Sequence, residues 1–212
     1  MHSGSNGKNE MPHAPQKEHA PLAVEAFRNW LSSRPDEERW ELIDGVPMMM
    51  APATRDHQRI ASNLERLLND ALERTAAGGV PRLAAYQRIG LNLGPAVQHY
   101  DPEPDVAVVE VAAGRDPRYA DSFLLAAEVV SPSDLKTVQG KAEIYKLHRD
   151  CACVLVIYQD HCEVSVELRK ATRWTQQTLL RLRDRLVLTA FGLDCAVGDL
   201  YKGTVEVRGL SP

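Results

Sequence analysis

FLLAAEVVSPS (residues 123–133) is the stretch on which the fold turns. Glu128 is the one charge within Phe123–Val130, a run whose length and apolar content read as a buried strand. An ionised carboxylate in such a strand costs on the order of several kcal/mol unless a cation, a metal or a network of donors compensates. The bland alternative is a salt bridge or a solvated position at the sheet margin.

Upstream, PEPDVAVVE (102–110) repeats the pattern, with Asp105 directly after Pro104 at the head of a second apolar strand. If 105–110 and 123–128 pair antiparallel across the 111–122 connection, one register sets Asp105 opposite Glu128. Directly opposed residues share a face, with Cβ atoms about 4.5–5.5 Å apart. Two carboxylates that close repel unless a divalent cation sits between them, so the pair reads as a metal site. Downstream, a helix expected at about 134–149, starting near Ser133, sets Lys141 and Tyr145 four apart on one face, with Val138 and His148 on the same stripe. A helix beginning just past Glu128 can fold back over the sheet and carry Lys141 to the carboxylates. The bland reading of Lys141 is a solvated surface lysine.

Further out, RWELIDGVPMMMAPA (39–53) reads as a hairpin turning at Asp44–Gly45. A helix is expected over 54–75, where Ile60, Leu64, Leu67, Leu68, Ala71 and Leu72 fall at helical spacing. Thr54 can cap its start, and Gly78–Gly79 stop it. A short helix follows Pro21. Strand-like segments occupy 83–93, 153–158 and 162–168; 173–190 alternates as strands do, with a short helix or turn from Leu193. Strands with two main helices give an α/β (mixed α+β) class, one domain over 22–212. Residues 1–21, polar and proline-containing without periodicity, read as a disordered tail.

The chain is 44% hydrophobic and 25% charged, ordinary for a globular protein. No apolar run approaches the roughly 20 residues that cross a bilayer. With no membrane partner and no signal peptide visible, the expected location is cytoplasmic. A net charge of −4 does not support a broad basic surface but leaves a local, metal-bridged site open. Cys151, Cys153, Cys162 and Cys195, with His148 and His161 nearby, fit no common zinc spacing. They read as reduced cysteines.

WELIDG, APATRDHQRIASNLERLL, PEPDVAVV, AAEVVSPS and the Lys141/Tyr145 K-x-x-x-Y, in that order between Arg39 and Tyr158, resemble the bacterial Uma-two family of endonucleases. That family lies in the PD-(D/E)XK restriction-endonuclease-like superfamily. The resemblance implies a mixed central sheet flanked by helices and a Mg²⁺ (or Mn²⁺) phosphodiesterase site acting on DNA; a homodimer is compatible with it. Asp105 matches the motif aspartate and Glu128 the (D/E) position, as metal ligands. The superfamily's usual lysine position holds Val130 here, and Lys141 on the following helix matches the relocated lysine, to orient the attacking water and offset phosphate charge. Glu41 matches an acidic residue of the early hairpin, as an extra ligand or a support to one. His57 also matches a recurrent position. It lies three residues before Ile60 on the apolar stripe, so a packed structural histidine is the competing reading, and it stays outside the core set.

The leading expectation is thus a metal-dependent endonuclease. The alternative is a non-catalytic nucleic-acid-binding or protein-assembly module that keeps the fold. A carboxylate-pair hydrolase of the glycosidase kind is weaker, because 6% aromatics offer no sugar-stacking platform.

Overall fold

The computed structural model describes residues 20–76, 79–80, 82–94, 97–112, 116–131 and 134–205. Most of the expected tail (1–21) therefore lies outside the described residues, as do Ser133 at the expected helix start and Gly78 of the expected stop. In chain order the elements are α1 (Val24–Leu31), β1 (Trp40–Ile43), β2 (Val46–Met49), α2 (Arg55–Thr75), β3 (Leu83–Tyr86), β4 (Gly90–Leu91), β5 (Val106–Glu110) and β6 (Tyr119–Ala120). Then come β7 (Phe123–Val130), α3 (Leu135–Leu147), β8 (Cys153–Tyr158), β9 (Val164–Lys170), β10 (Arg173–Leu179), β11 (Arg185–Leu188), a 3-10 turn, β12 (Leu193–Ala196) and α4 (Val197–Leu200).

Six strands form the central mixed sheet in the order β10-β9-β8-β7-β5-β3. β7 and β8 pair in parallel, joined by α3, and the other neighbours are antiparallel. The near-continuous apolar sequences of β7 and β8 follow from cover on both faces. Leu125, Ala127, Val129, Leu155 and Ile157 point into one core layer with Ile60, Leu64 and Leu68 of α2. Ala126, Val130, Val154 and Val156 point into the other, with Val138, Ala142 and Tyr145 of α3. The sheet is therefore the middle of a helix–sheet–helix sandwich, and the α2 stripe packs as its periodicity requires.

The Asp44–Gly45 hairpin turn has positive φ at both residues, 51° and 74°, the backbone of a tight turn matched to strand twist. Thr54 caps α2 by accepting from the His57 backbone N–H at 3.1 Å. Two expectations need correction. The segment 83–93 is not one strand: Arg88 adopts φ 57°, its N–H turns to the Pro104 carbonyl, and β4 leaves to pair in parallel with β6 in a separate small sheet. Leu193 begins a strand, not a helix. Gly192 at φ 65° reverses the chain so that β12 returns antiparallel along β11, and the helix starts at Val197.

Candidate metal and catalytic centre

The β5–β7 register places the first two side chains. Val106 faces Ala127, and one step further along the same ladder Asp105 stands opposite Glu128. Both belong, by alternation, to the α3 side of the sheet. Asp105 Oδ2 accepts the Val129 backbone N–H at 2.8 Å and lies 3.1 Å from His57 Nε2, in the first turn of α2. Glu128 is 4% exposed, and its Oε1 accepts the Tyr145 hydroxyl at 2.5 Å.

Lys141 reaches this pair from α3, as helical spacing allows. Its Nζ is 2.8 Å from Glu128 Oε1 and donates to both oxygens of Glu41, at 2.8 and 3.1 Å. Lys141 is 3% exposed and Glu41 2%. Glu41 is brought in by β1, whose Leu42 bridges Asp101 through two backbone hydrogen bonds. That bridge also presents the Glu103 N–H to Glu41 Oε1 at 2.7 Å. Asp101 is itself gripped by Arg28 of α1, which donates to both of its oxygens and to Asn92 while stacking 3.6 Å above Tyr119. The four residues singled out in the sequence thus stand together, Glu41, Glu128 and Lys141 buried and Asp105 half-buried beside Glu128.

Two carboxylates, Glu41 and Glu128, hold one ammonium, and Asp105 stands beside Glu128. Burial pushes the Glu128 carboxyl up to about 7; the charge of Lys141 opposes this, and Asp105 and Glu41 reinforce it. Burial works against the charge of Lys141, but Glu128 and Glu41 more than offset it and hold its pKa above the usual lysine value. Tyr145 is driven well above its ordinary value by burial and then by Glu128, so its hydroxyl remains a donor.

Two residues outside the core set join the site. Tyr145 was visible as the partner of Lys141 at four-residue spacing, but nothing in the sequence aimed it at Glu128. His57 stood on the α2 apolar stripe, and only the packing of that helix end against the start of β5 shows its contact with Asp105. Its Nδ1 is buried without a hydrogen-bond partner among the described residues.

The cysteines do not converge with this site: Cys153 lies in the α2-side layer, Cys151 in the α3-side layer, and burial pushes both thiols up. Of the two nearby histidines, His148 stacks on Phe123, and His161 pairs with Asp160 and Glu163 at the surface.

Among the described residues no group of three or more His, Cys, Asp or Glu side chains is arranged to hold a metal ion. The donor chemistry nevertheless fits a hard divalent cation. Asp105 and Glu128 each commit one oxygen to protein donors, while Oδ1 and Oε2 receive no hydrogen bond from the described residues. Mg²⁺ commonly takes one or two carboxylates and completes its shell with water and substrate phosphate, not with an all-protein cage. Burial, reinforced by the neighbouring carboxylates, lifts Glu128, and a bound cation would favour its charged form.

A family model described as "Putative restriction endonuclease" (Uma2) matches residues 24–198. Among solved structures, a similar one is described as "a putative nuclease belonging to DUF820" from Anabaena variabilis, at 16% identity and a TM-score of 0.66. The match covers 85% of this chain and 98% of that one. A comparison with curated proteins finds no match. No described helix is long and apolar enough to cross a membrane.

Proposed function

The chain belongs to the Uma2 family of restriction-endonuclease-like proteins, and from that membership and the buried cluster we propose a metal-dependent endonuclease that hydrolyses DNA phosphodiester bonds. The observation that carries this reading is Lys141 bridging Glu41 and Glu128 with Asp105 opposite Glu128. Asp105 Oδ1 and Glu128 Oε2, with the Val129 carbonyl, would hold Mg²⁺ or Mn²⁺. When bound, the ion supplies Lewis-acid polarisation of the scissile phosphate.

The chain's own groups do the rest. Val129 N–H and His57 fix one oxygen of Asp105 and so aim the other. The Tyr145 hydroxyl does the same for Glu128. Glu41 holds the Lys141 ammonium beside Glu128, where it orients the attacking water and stabilises charge developing on the phosphate. Residues 22–212 act as one domain in this reading, in the cytoplasm.

Supercoiled plasmid and short single- and double-stranded DNA, incubated with Mg²⁺ or Mn²⁺, test the proposal. Expected is cleavage that a chelator abolishes and that Asp105→Asn loses. No cleavage of any substrate with either metal would overturn it. The second reading, a binding module without catalysis, draws on one observation: a net charge of −4 gives little general affinity for DNA. Metal binding without cleavage would select it.

A further inference from the structure

Among the described strands β2 pairs with β1 alone, so its other side is a free edge. Val46, Met48, Met49 and Met50 are all exposed on it, whereas other exposed large apolar residues, such as Val80, Val111, Leu147 and Val187, stand singly along the chain. Single apolar residues are ordinary on a protein surface, but a contiguous group marks a face that something covers. The register says which of them belong to the site. Glu41 pairs with Met48 and Ile43 with Val46, and the Met50 N–H bonds the Arg39 carbonyl. Directly opposed residues share a face, so Val46, Met48 and Met50 lie on the face that presents Glu41 to Lys141. Met49 lies on the other face, opposite Trp40. Met48 is thus the cross-strand neighbour of the carboxylate that grips the ammonium.

The free edge is closed to another strand. Leu42 donates to and accepts from Asp101, on the side away from β2, so Leu42 and Pro47 face each other without mutual hydrogen bonds. The Pro47 nitrogen therefore points to the free edge, where it has no N–H to give, and a second copy adding a strand there would lack that donor. Phosphate is an equally poor match. Arg39, the cation on this face, already pairs with Glu103, and a net charge of −4 gives little general pull on DNA. A nucleobase fits what remains, because its flat π-face packs on polarisable thioethers and needs no charge. Bases in a perfect duplex are stacked, so such a contact needs a strand that is single or opened at that step. Methionine is among the apolar side chains that proteins insert between base steps.

We propose that Met48 and Met50 pack against a nucleobase next to the scissile phosphate, and that the substrate is accordingly DNA with unpaired or locally opened bases at the cut. One sugar joins a base to its phosphate, so a base resting on Met48 keeps that phosphate near the ammonium held by Glu41. This rests on the nuclease reading for the position of the scissile group.

The test measures binding of single-stranded, mismatch-containing and fully paired oligonucleotides by fluorescence anisotropy, with Ca²⁺ present, and KM and kcat for cleavage with Mg²⁺. The wild type should bind the unpaired forms at least about tenfold more tightly than the perfect duplex. Met48→Ser and Met50→Ser should each raise Kd and KM on those forms about 3–10-fold. Their kcat, Mn²⁺ affinity and slope of log K against log salt should stay at wild-type values, since no metal ligand or phosphate contact is lost. Met49→Ser, on the opposite face and at a more exposed position, is the control and should match the wild type. Wild-type Kd in both Met48→Ser and Met50→Ser, an equal loss in Met49→Ser, or tightest binding to the perfect duplex overturns the inference, even if cleavage itself is robust. So does a wild-type dimer that Met48→Ser dissociates in sedimentation, which assigns the face to a second copy. A lowered melting temperature in Met48→Ser with DNA binding unchanged also overturns it, by assigning the face to packing within the chain. Should the wild type bind DNA without cleaving it, loss of that binding in Met48→Ser and Met50→Ser still supports the base contact while the nuclease reading fails. Wild-type protein that binds no DNA overturns the contact.

Discussion

Replacing Lys141 by methionine keeps the bulk of the side chain and removes the ammonium held between Glu41 and Glu128. Its Nζ lies within 2.8 Å of both Glu41 and Glu128, and all three groups are under 5% exposed, so solvent screens little of the loss. Removing one partner of a buried ion pair typically costs about 3–5 kcal/mol. The cost depends on pH. Glu128 titrates at about 7 in the folded chain against an ordinary 4.5, so the folded state holds its proton more firmly than the unfolded one. That contribution to stability is complete below about 4.5 and is lost as pH rises through about 7. Without Lys141, which lowers the Glu128 pKa, the carboxyl moves higher still, and the variant loses more stability over the same rise. Urea unfolding with a chelator present should therefore show a deficit of about 3–5 kcal/mol near pH 8, shrinking toward about 1–2 kcal/mol near pH 5.5. A deficit below about 1 kcal/mol near pH 8, or one equal at both pH values, would refute this account of the cluster.

Tyr145→Phe removes the hydroxyl donated to Glu128 and should cost about 1.5–3 kcal/mol of stability by urea unfolding, and lower cleavage by misaiming the carboxylate. His57→Gln should weaken Mn²⁺ binding about 10–100-fold by freeing Asp105, read by calorimetry, whereas a purely packing role leaves affinity untouched. Because the proton on Glu128 must leave before the carboxylate binds a cation, Mn²⁺ affinity should rise about tenfold per pH unit below about 7 and level off above it; affinity flat from about pH 5.5 to 8 would exclude Glu128 as a ligand.

The strands carrying the site were legible because the charges in them are anomalies. Glu128 within FLLAAEVV and Asp105 after Pro104 violate the apolar pattern of their surroundings, and the antiparallel register that opposes them is the one the sheet adopts. Lys141 and Glu41 are ordinary residues in their local sequence. Helical spacing offered Lys141 a route to the sheet, but family resemblance supplied both assignments. Their mutual contact spans 100 positions of chain, beyond any local rule. The same limit hid the Arg28–Asp101 grip that positions β1, the parallel pairing of β4 with β6, and the contact between His57 and Asp105. At Leu193 the local signal misled because a strand of four residues has too little alternation to distinguish it from a turn.

The central claim is that Asp105 and Glu128 share one divalent ion, and Mn²⁺ binding followed by electron paramagnetic resonance tests it most directly. The account predicts about one Mn²⁺ per chain in the wild type and affinity reduced at least about tenfold in both Asp105→Asn and Glu128→Gln; in Lys141→Met, affinity is unchanged or tighter once the pH is high enough to strip the Glu128 proton, because a competing positive charge is gone. Wild-type affinity in both carboxylate variants, or binding lost in Lys141→Met alone while its fold is intact by circular dichroism, would contradict it.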